Sequence, residues 1–119
     1  MSGEQERRAR ERRGHWAERV AAIALMLRGY RILARREKTP LGEIDLIAVR
    51  GKRVAFVEVK RRATREAAEA SVTTAQRARV RKAASLWLAR NSVYQSYRIG
   101  FDIVFCIGVS WPQHLEDAL

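Results

Sequence analysis

A chain of 119 residues suffices for one ordinary domain and is too short for two, and at 47% hydrophobic residues it can bury a real core. Two prolines and seven glycines argue against a disordered or linker-rich polypeptide. The formal net charge of +11 points to a polyanionic partner, nucleic acid first and an anionic membrane surface second, and is silent about chemistry.

Residues 1–13, MSGEQERRARERR, are charged throughout and read as a charged extension, either a frayed helix start or a basic arm, ahead of a single domain over 14–119. Residues 14–28 then read as a helix, with Trp16, Val20, Ile23 and Leu27 at helical spacing in one stripe, Ala21, Ala22, Leu25 and Met26 on its other sides so that its second half is expected to be buried all round, and Gly29 as its C′ stop. At about 100° per residue, Glu18 falls nearly opposite that stripe. It lies on the side bearing Ala21, Ala22 and Leu25, with Gly14 one turn earlier. A carboxylate among such small residues implies close approach by another group, or else an exposed glutamate at a helix start. The run VAAIALML at 20–27 is about half of what a membrane span needs. The basic N-terminus lacks an A-x-A-like cleavage site, so no signal peptide and no membrane association are expected, and the expected location is the cytoplasm.

Residues 30–37 read as an edge strand, and Thr39-Pro40-Leu41-Gly42 as a turn. Residues 43–49 and 53–60 are rich in Val, Ile and Phe and read as a hairpin, with Gly51 first in a two-residue type II′ loop. Residues 61–69 read as a polar loop and 70–90 as one long helix ending near Asn91. In that helix Val72, Val80, Ala83 and Trp87 mark an inner stripe, with Gln76 inside it. The apolar run at 99–109 reads as a buried strand carrying Cys106 as a small hydrophobe. As the only cysteine, Cys106 can form no internal disulfide, and a reducing compartment is the simplest reading. The order α-β-β-β-α-β is that of an α/β layer fold with helices on a mixed sheet.

The hairpin raises a chemical question. If Gly51 and Lys52 form the loop, Arg50 pairs with Arg53, Asp45 falls opposite Glu58, and Glu43 falls opposite Lys60. Alternation then groups Glu43, Asp45, Ile47 and Val49 with Lys60, Glu58, Phe56 and Val54 on one face. Opposed carboxylates repel, so a proton, a flanking cation or a metal must compensate. Oxygen ligands with no cysteine or histidine in the hairpin suit Mg²⁺ or Mn²⁺. A salt-bridge cluster on an edge hairpin is the alternative, and a bulge would break the register.

Gly14 and Glu18, GEIDLIA, FVEVKRR, the helix beginning SVTTAQ and the strand FDIV together resemble the YraN-like family of small bacterial proteins, over nearly the whole chain from about Gly14. That family is similar to the PD-(D/E)XK nucleases, near the archaeal Holliday-junction resolvases. The resemblance implies a restriction-endonuclease-like three-layer core. It implies Asp45 and Glu58 as metal ligands, Glu18 as a further metal-site or water-positioning residue, Lys60 as the residue that orients or polarises the attacking water, and Gln76 as a group near the scissile phosphate. Gly42, Glu43 and Gly14 are supporting residues of the same motifs. Three positions depart from the pattern: Ile44 replaces the proline of the superfamily name, Gln76 stands where lysine is expected, and Gly100 stands where arginine is expected before Phe101-Asp102. The last leaves Asp102 as a structural residue, paired with Arg98 or a side chain of the second helix.

The function expected from this resemblance is metal-dependent hydrolysis of phosphodiester bonds in DNA, perhaps structured or branched, with Mg²⁺ or Mn²⁺ as cofactor. DNA is a more natural partner than RNA. The alternatives are a non-catalytic nucleic-acid-binding protein that retains the nuclease fold, and a module that docks by its basic surface on a ribosome or other acidic assembly. Arg61, Arg62 and Arg65 directly follow the proposed site and are the expected phosphate contacts. The sequence has no aromatic cluster for base stacking, which favours backbone and shape recognition. Relatives of this kind suggest a homodimer, although no interface signature stands out.

Overall fold

The computed structural model describes residues 2–119; Met1 of the expected extension and the side chain of Arg13 lie outside the described residues. The first helix, α1, runs over Gly3–Leu27, so the charged extension is continuous with it. Ser2 caps it, its hydroxyl accepting from Gln5 N while the Gln5 side chain accepts from Ser2 N. Gly29 ends it at φ +91°, as its place after the last apolar residue predicts.

Three strands follow as a meander: β1 at Arg31–Thr39, β2 at Gly42–Arg50 and β3 at Arg53–Arg62. Two helices separate β3 from the last long strand, the short α2 at Arg65–Ala70 and the longer α3 at Thr74–Arg90, followed by a single 3₁₀ turn at Ser92–Tyr94. Strand β4 covers Arg98–Ile107, and β5 covers Gln113–Leu115. The five strands lie in the order β1-β2-β3-β4-β5. Pairing is antiparallel except between β3 and β4, which run parallel and are joined by the helical crossover. The expected α/β architecture, a mixed sheet between helical layers, is the one observed.

Each face of the sheet buries its own core. On one face α1 contributes Ala17, Ala21, Ala22 and Leu25 against Leu46, Ala48, Ala55, Val57 and Val104. On the other, α3 contributes Val80, Ala83, Ala84 and Trp87 against Ile44, Ile47, Val54, Phe56, Ile103 and Phe105. Cys106 is a buried free thiol in the first core, where burial pushes its pKa up. Among the described residues no helix is long and apolar enough to cross a membrane.

Two expectations need correction. The helix expected over 70–90 is two helices, because Thr73 breaks it: its hydroxyl accepts from Gln76 N, and the Gln76 side chain reaches back to Thr73 N. Thr64 caps α2 inside the segment expected to be loop. The second correction concerns α1. Trp16, Ile23 and Leu27 are 55%, 50% and 71% exposed, while Ala21 and Leu25 are fully buried. The helix packs by its small-residue side because the sheet beneath it is floored by Ala48 and Ala55, which admit a close backbone approach. Turning the large side chains inward would also carry Glu18 out to solvent.

The far end of β3 from Lys60 is locked by a buried ion pair. Arg53 donates from Nη1 to Asp102 Oδ2 at 2.8 Å and from Nη2 to Oδ1 at 2.7 Å, and also reaches the Tyr30 hydroxyl at 3.1 Å. His114 on β5 meets Asp102 Oδ2 at 2.7 Å, and Asp117 N donates to Oδ1 at 2.9 Å. Burial pushes the Asp102 carboxyl up, but the hydrogen bonds from Arg53, His114 and Asp117 outweigh it and hold the group well below the ordinary carboxylate range. The partner of Asp102 is therefore Arg53, on the neighbouring strand, and neither Arg98 nor a residue of the second helix. Gly100 makes this pair feasible: a Cβ there would lie 2.0 Å from Arg53 Nη2. The volume where an arginine side chain was expected is filled by another arginine arriving from β3.

Candidate metal centre

The ladder between β2 and β3 has the expected register, from Arg50↔Arg53 to Leu46↔Val57, and stops there. Gly51 at φ +58° turns the hairpin. Asp45 does not pair across to Glu58. Its Oδ2 instead accepts the Val59 backbone N–H at 2.8 Å, so a side chain takes the place of a strand carbonyl and the two strands part. The regular alternation fails at the same point, since Ile44 and Leu46 belong to opposite cores. The expected single face shared by Asp45, Ile47 and Val49 is thus broken at Asp45, which lies at a local twist in β2.

The parting of β2 and β3 opens a cleft of about 390 Å³, lined by Gly14, Glu18, Asp45, Glu58, Arg61 and Arg62 among others. Glu18 reaches it from the buried side of α1 and is 9% exposed. Its Oε2 is buried and accepts no hydrogen bond. Oxygens of Glu18, Glu43 and Asp45 lie within 4.8 Å of one another. Glu43, expected only as a supporting residue, stands among the acids. Glu58 lines the same cleft and pairs with Lys60, Nζ to Oε1 at 3.4 Å, both side chains being buried.

The electrostatics follow from this crowding. Burial and the neighbouring Glu58 carboxylate push Asp45 up to about 7, against the pull of the Val59 N–H. Burial also raises Glu18, opposed by the Arg36 guanidinium and assisted by the Glu43 carboxylate. Arg36 Nε stands 3.7 Å from Glu18 Oε2 and 3.8 Å from Glu43 Oε1, at ion-pair range but beyond a hydrogen bond. Its backbone is left-handed, at φ +52°, a conformation that costs an arginine about 1–2 kcal/mol.

The remaining residues singled out from the sequence are distributed as follows. Arg61 and Arg62 border the cleft and are exposed. Arg65 is turned away, held by Glu69 at 2.8 Å and by Gln113, and stacked over Phe105. Gln76 is engaged in the α3 capping box and does not line the cleft. Gly42 has φ +139°, and a Cβ there would lie 2.7 Å from the Arg79 side chain, so both its backbone and its missing side chain are used. Gly14 faces open space in the cleft wall. Arg10 and Arg36 were not singled out. Arg10 lies four residues before Gly14 and eight before Glu18, a helical spacing that brings it to the same cleft. Arg36 is level with Asp45 in the β1–β2 register, between Arg35↔Leu46 and Glu37↔Ile44.

The donor set fits a divalent cation. It is all oxygen, it is partly withdrawn from water, and one of its buried oxygens accepts no hydrogen bond. Comparison with known proteins agrees with the family read from GEIDLIA and FVEVK. The chain is 55% identical over 107 residues to a UPF0102 protein of Chelativorans sp., covering 89% of this chain and 86% of that one. It is 53% identical over 108 residues to one of Mesorhizobium japonicum, covering 90% and 86%. It is 52% identical over 103 residues to one of Brucella canis, covering 87% and 82%. The model of the uncharacterised protein family UPF0102 matches residues 17–106, a span that holds every acid of the cleft and Lys60, and the chain belongs to that family.

Proposed function

We propose that the protein is a metal-dependent nuclease of the cytoplasm that hydrolyses phosphodiester bonds in DNA. The observation that carries this reading is the buried oxygen of Glu18 that accepts no hydrogen bond, set among the carboxylates of Glu43 and Asp45, in a cleft bordered by Arg10, Arg61 and Arg62. Glu18, Glu43 and Asp45 would hold Mg²⁺ or Mn²⁺, with Glu58 beside them. Such an ion, when bound, supplies positive charge for the phosphate and makes water a better nucleophile near neutral pH. The chain's own residues do the rest. Asp45 is positioned by the Val59 N–H, so its carboxylate is fixed before any ligand arrives. Lys60, paired with Glu58, would offer its ammonium group to the negative charge that builds on a pentacoordinate phosphorus. Arg61 and Arg62 offer guanidinium groups to backbone phosphates, which would fix the strand across the cleft without reading bases.

The test is a cleavage assay on plasmid and on branched synthetic DNA in Mg²⁺ or Mn²⁺, alongside a binding assay in EDTA. The expected result is cleavage by the natural chain, abolished in Asp45→Asn with binding retained. Binding that falls steeply with salt, with no cleavage in either metal and no change in Asp45→Asn, would favour the alternative of a non-catalytic nucleic-acid-binding protein.

A further inference from the structure

Arg36 is an unusual residue to find in the middle of an edge strand. It is one of two non-glycine residues with positive φ among those described, and the other, Asp117, lies near the C-terminus. The left-handed backbone turns its guanidinium toward the cleft, within 3.8 Å of carboxylate oxygens of both Glu18 and Glu43. Neither contact is a hydrogen bond, and Glu18 Oε2 remains without a donor although Arg36 stands at ion-pair range of it. Arg36 therefore balances charge without satisfying the oxygens it faces. A guanidinium brings one delocalised charge at these distances, whereas a divalent ion brings two at about 2.0–2.6 Å from its ligand oxygens.

We propose that Arg36 is the built-in counter-ion of the cleft: it competes with a divalent ion for Glu18 and Glu43, gives way when the ion binds, and then engages a phosphate oxygen of the nucleic acid. The proposal rests on the metal-centre reading above. The side chain is 41% exposed, so it can swing outward without unpacking the core. Its planar fork matches the oxygens of a phosphodiester. With Arg10, Arg61 and Arg62, which come from α1 and β3, it would add a fourth cation to the border of the cleft, from β1.

The experiment is a titration of Mn²⁺ by calorimetry into the natural chain, Arg36→Asn and Arg36→Gln, without nucleic acid. Asparagine tolerates the left-handed backbone, and glutamine keeps most of the side-chain length. Both variants are expected to bind Mn²⁺ more tightly, by about tenfold if one ion pair no longer has to be broken. A short DNA duplex titrated in Ca²⁺ should then bind the variants several-fold more weakly than the natural chain, with no difference in EDTA. Unchanged or weaker Mn²⁺ affinity in both variants would overturn the counter-ion role, and equal DNA binding in Ca²⁺ would overturn the phosphate role. Either result leaves the metal centre standing if the natural chain binds Mn²⁺. Failure of all three proteins to bind Mn²⁺ would overturn the metal centre and the role of Arg36 together.

Discussion

Arg53 and Gly100 show how one side chain can do a distant position's work. The family resemblance leads one to expect an arginine at 100 beside Asp102; the chain has glycine there, and the guanidinium arrives from Arg53 instead. No spacing rule reveals this, because the two residues meet only through the parallel register Arg53↔Arg98 and Ala55↔Gly100. The consequence is testable. Gly100→Ala would drive the guanidinium off Asp102 and leave a buried carboxylate short of its partner, at a cost of about 3–5 kcal/mol in urea denaturation. An unchanged midpoint would mean that Arg53 has another low-energy position. Most charged residues of the site were more legible. Asp45, Glu58 and Lys60 stand out as charges in apolar strands, and Glu18 as a charge among alanines, since burial is what such residues avoid unless compensated. Glu43 and Arg36 were less so, because their role depends on the break in alternation at Asp45, which a strict period of two conceals.

From Gly14 onward the extent of helix α1 is legible in the sequence, but the all-round burial expected of its second half fails, since Ile23, Met26 and Leu27 are exposed. Periodicity locates a stripe but does not say which of two stripes is inside. Here the alanine side wins because small residues on both partners allow close packing, and the larger apolar residues remain at the surface. Polar substitution of Ile23 and Leu27 should therefore change stability by less than about 0.5 kcal/mol, as expected of exposed sites. Ala21→Leu should cost about 1–3 kcal/mol by overpacking the contact with the sheet. Denaturant melts of the two variants separate the orientations, and the reverse order would restore the large stripe to the core. The break before α3 was legible in principle, since Thr73 and Gln76 have the spacing of a capping box. The inner stripe drawn through Val72 ran across it, and a stripe gives no sign of where the backbone stops turning. Strands and hairpin register were the most legible elements, because Gly51 fixes the turn and the turn fixes the pairs.

At the scale of the whole molecule, the cleft makes stability depend on pH with a definite sign. Asp45 is pushed up to about 7 and Glu18 is raised too, so the folded chain holds these protons more tightly than the unfolded one. Their contribution is fully present below the ordinary carboxylate range, about 4, and is lost as pH rises through the folded values. Asp102 acts in the opposite direction: lowered in the fold, it stabilises above the ordinary range and stops doing so as pH falls through its folded value. In EDTA the Tm should therefore rise as pH falls from 8 to 6, and Asp45→Asn should flatten that slope; a Tm that rises with pH in this window would contradict the assignment. A divalent ion held by these carboxylates, as proposed, would compete with the same protons, so the Tm gained on adding Mn²⁺ should be larger at pH 8 than at pH 6. The strand order carries a further consequence, for the making of the chain. Glu18, Glu43, Asp45, Glu58 and Lys60 all belong to α1 and the meander, whereas the centre of the sheet closes only when β4 adds to β3 after both later helices. A nascent chain that has emerged as far as Arg62 already carries every acid of the cleft but lacks Val104 and Cys106, the β4 residues of the core beneath α1, so the packing that seats Glu18 is completed only when β4 arrives, late in synthesis.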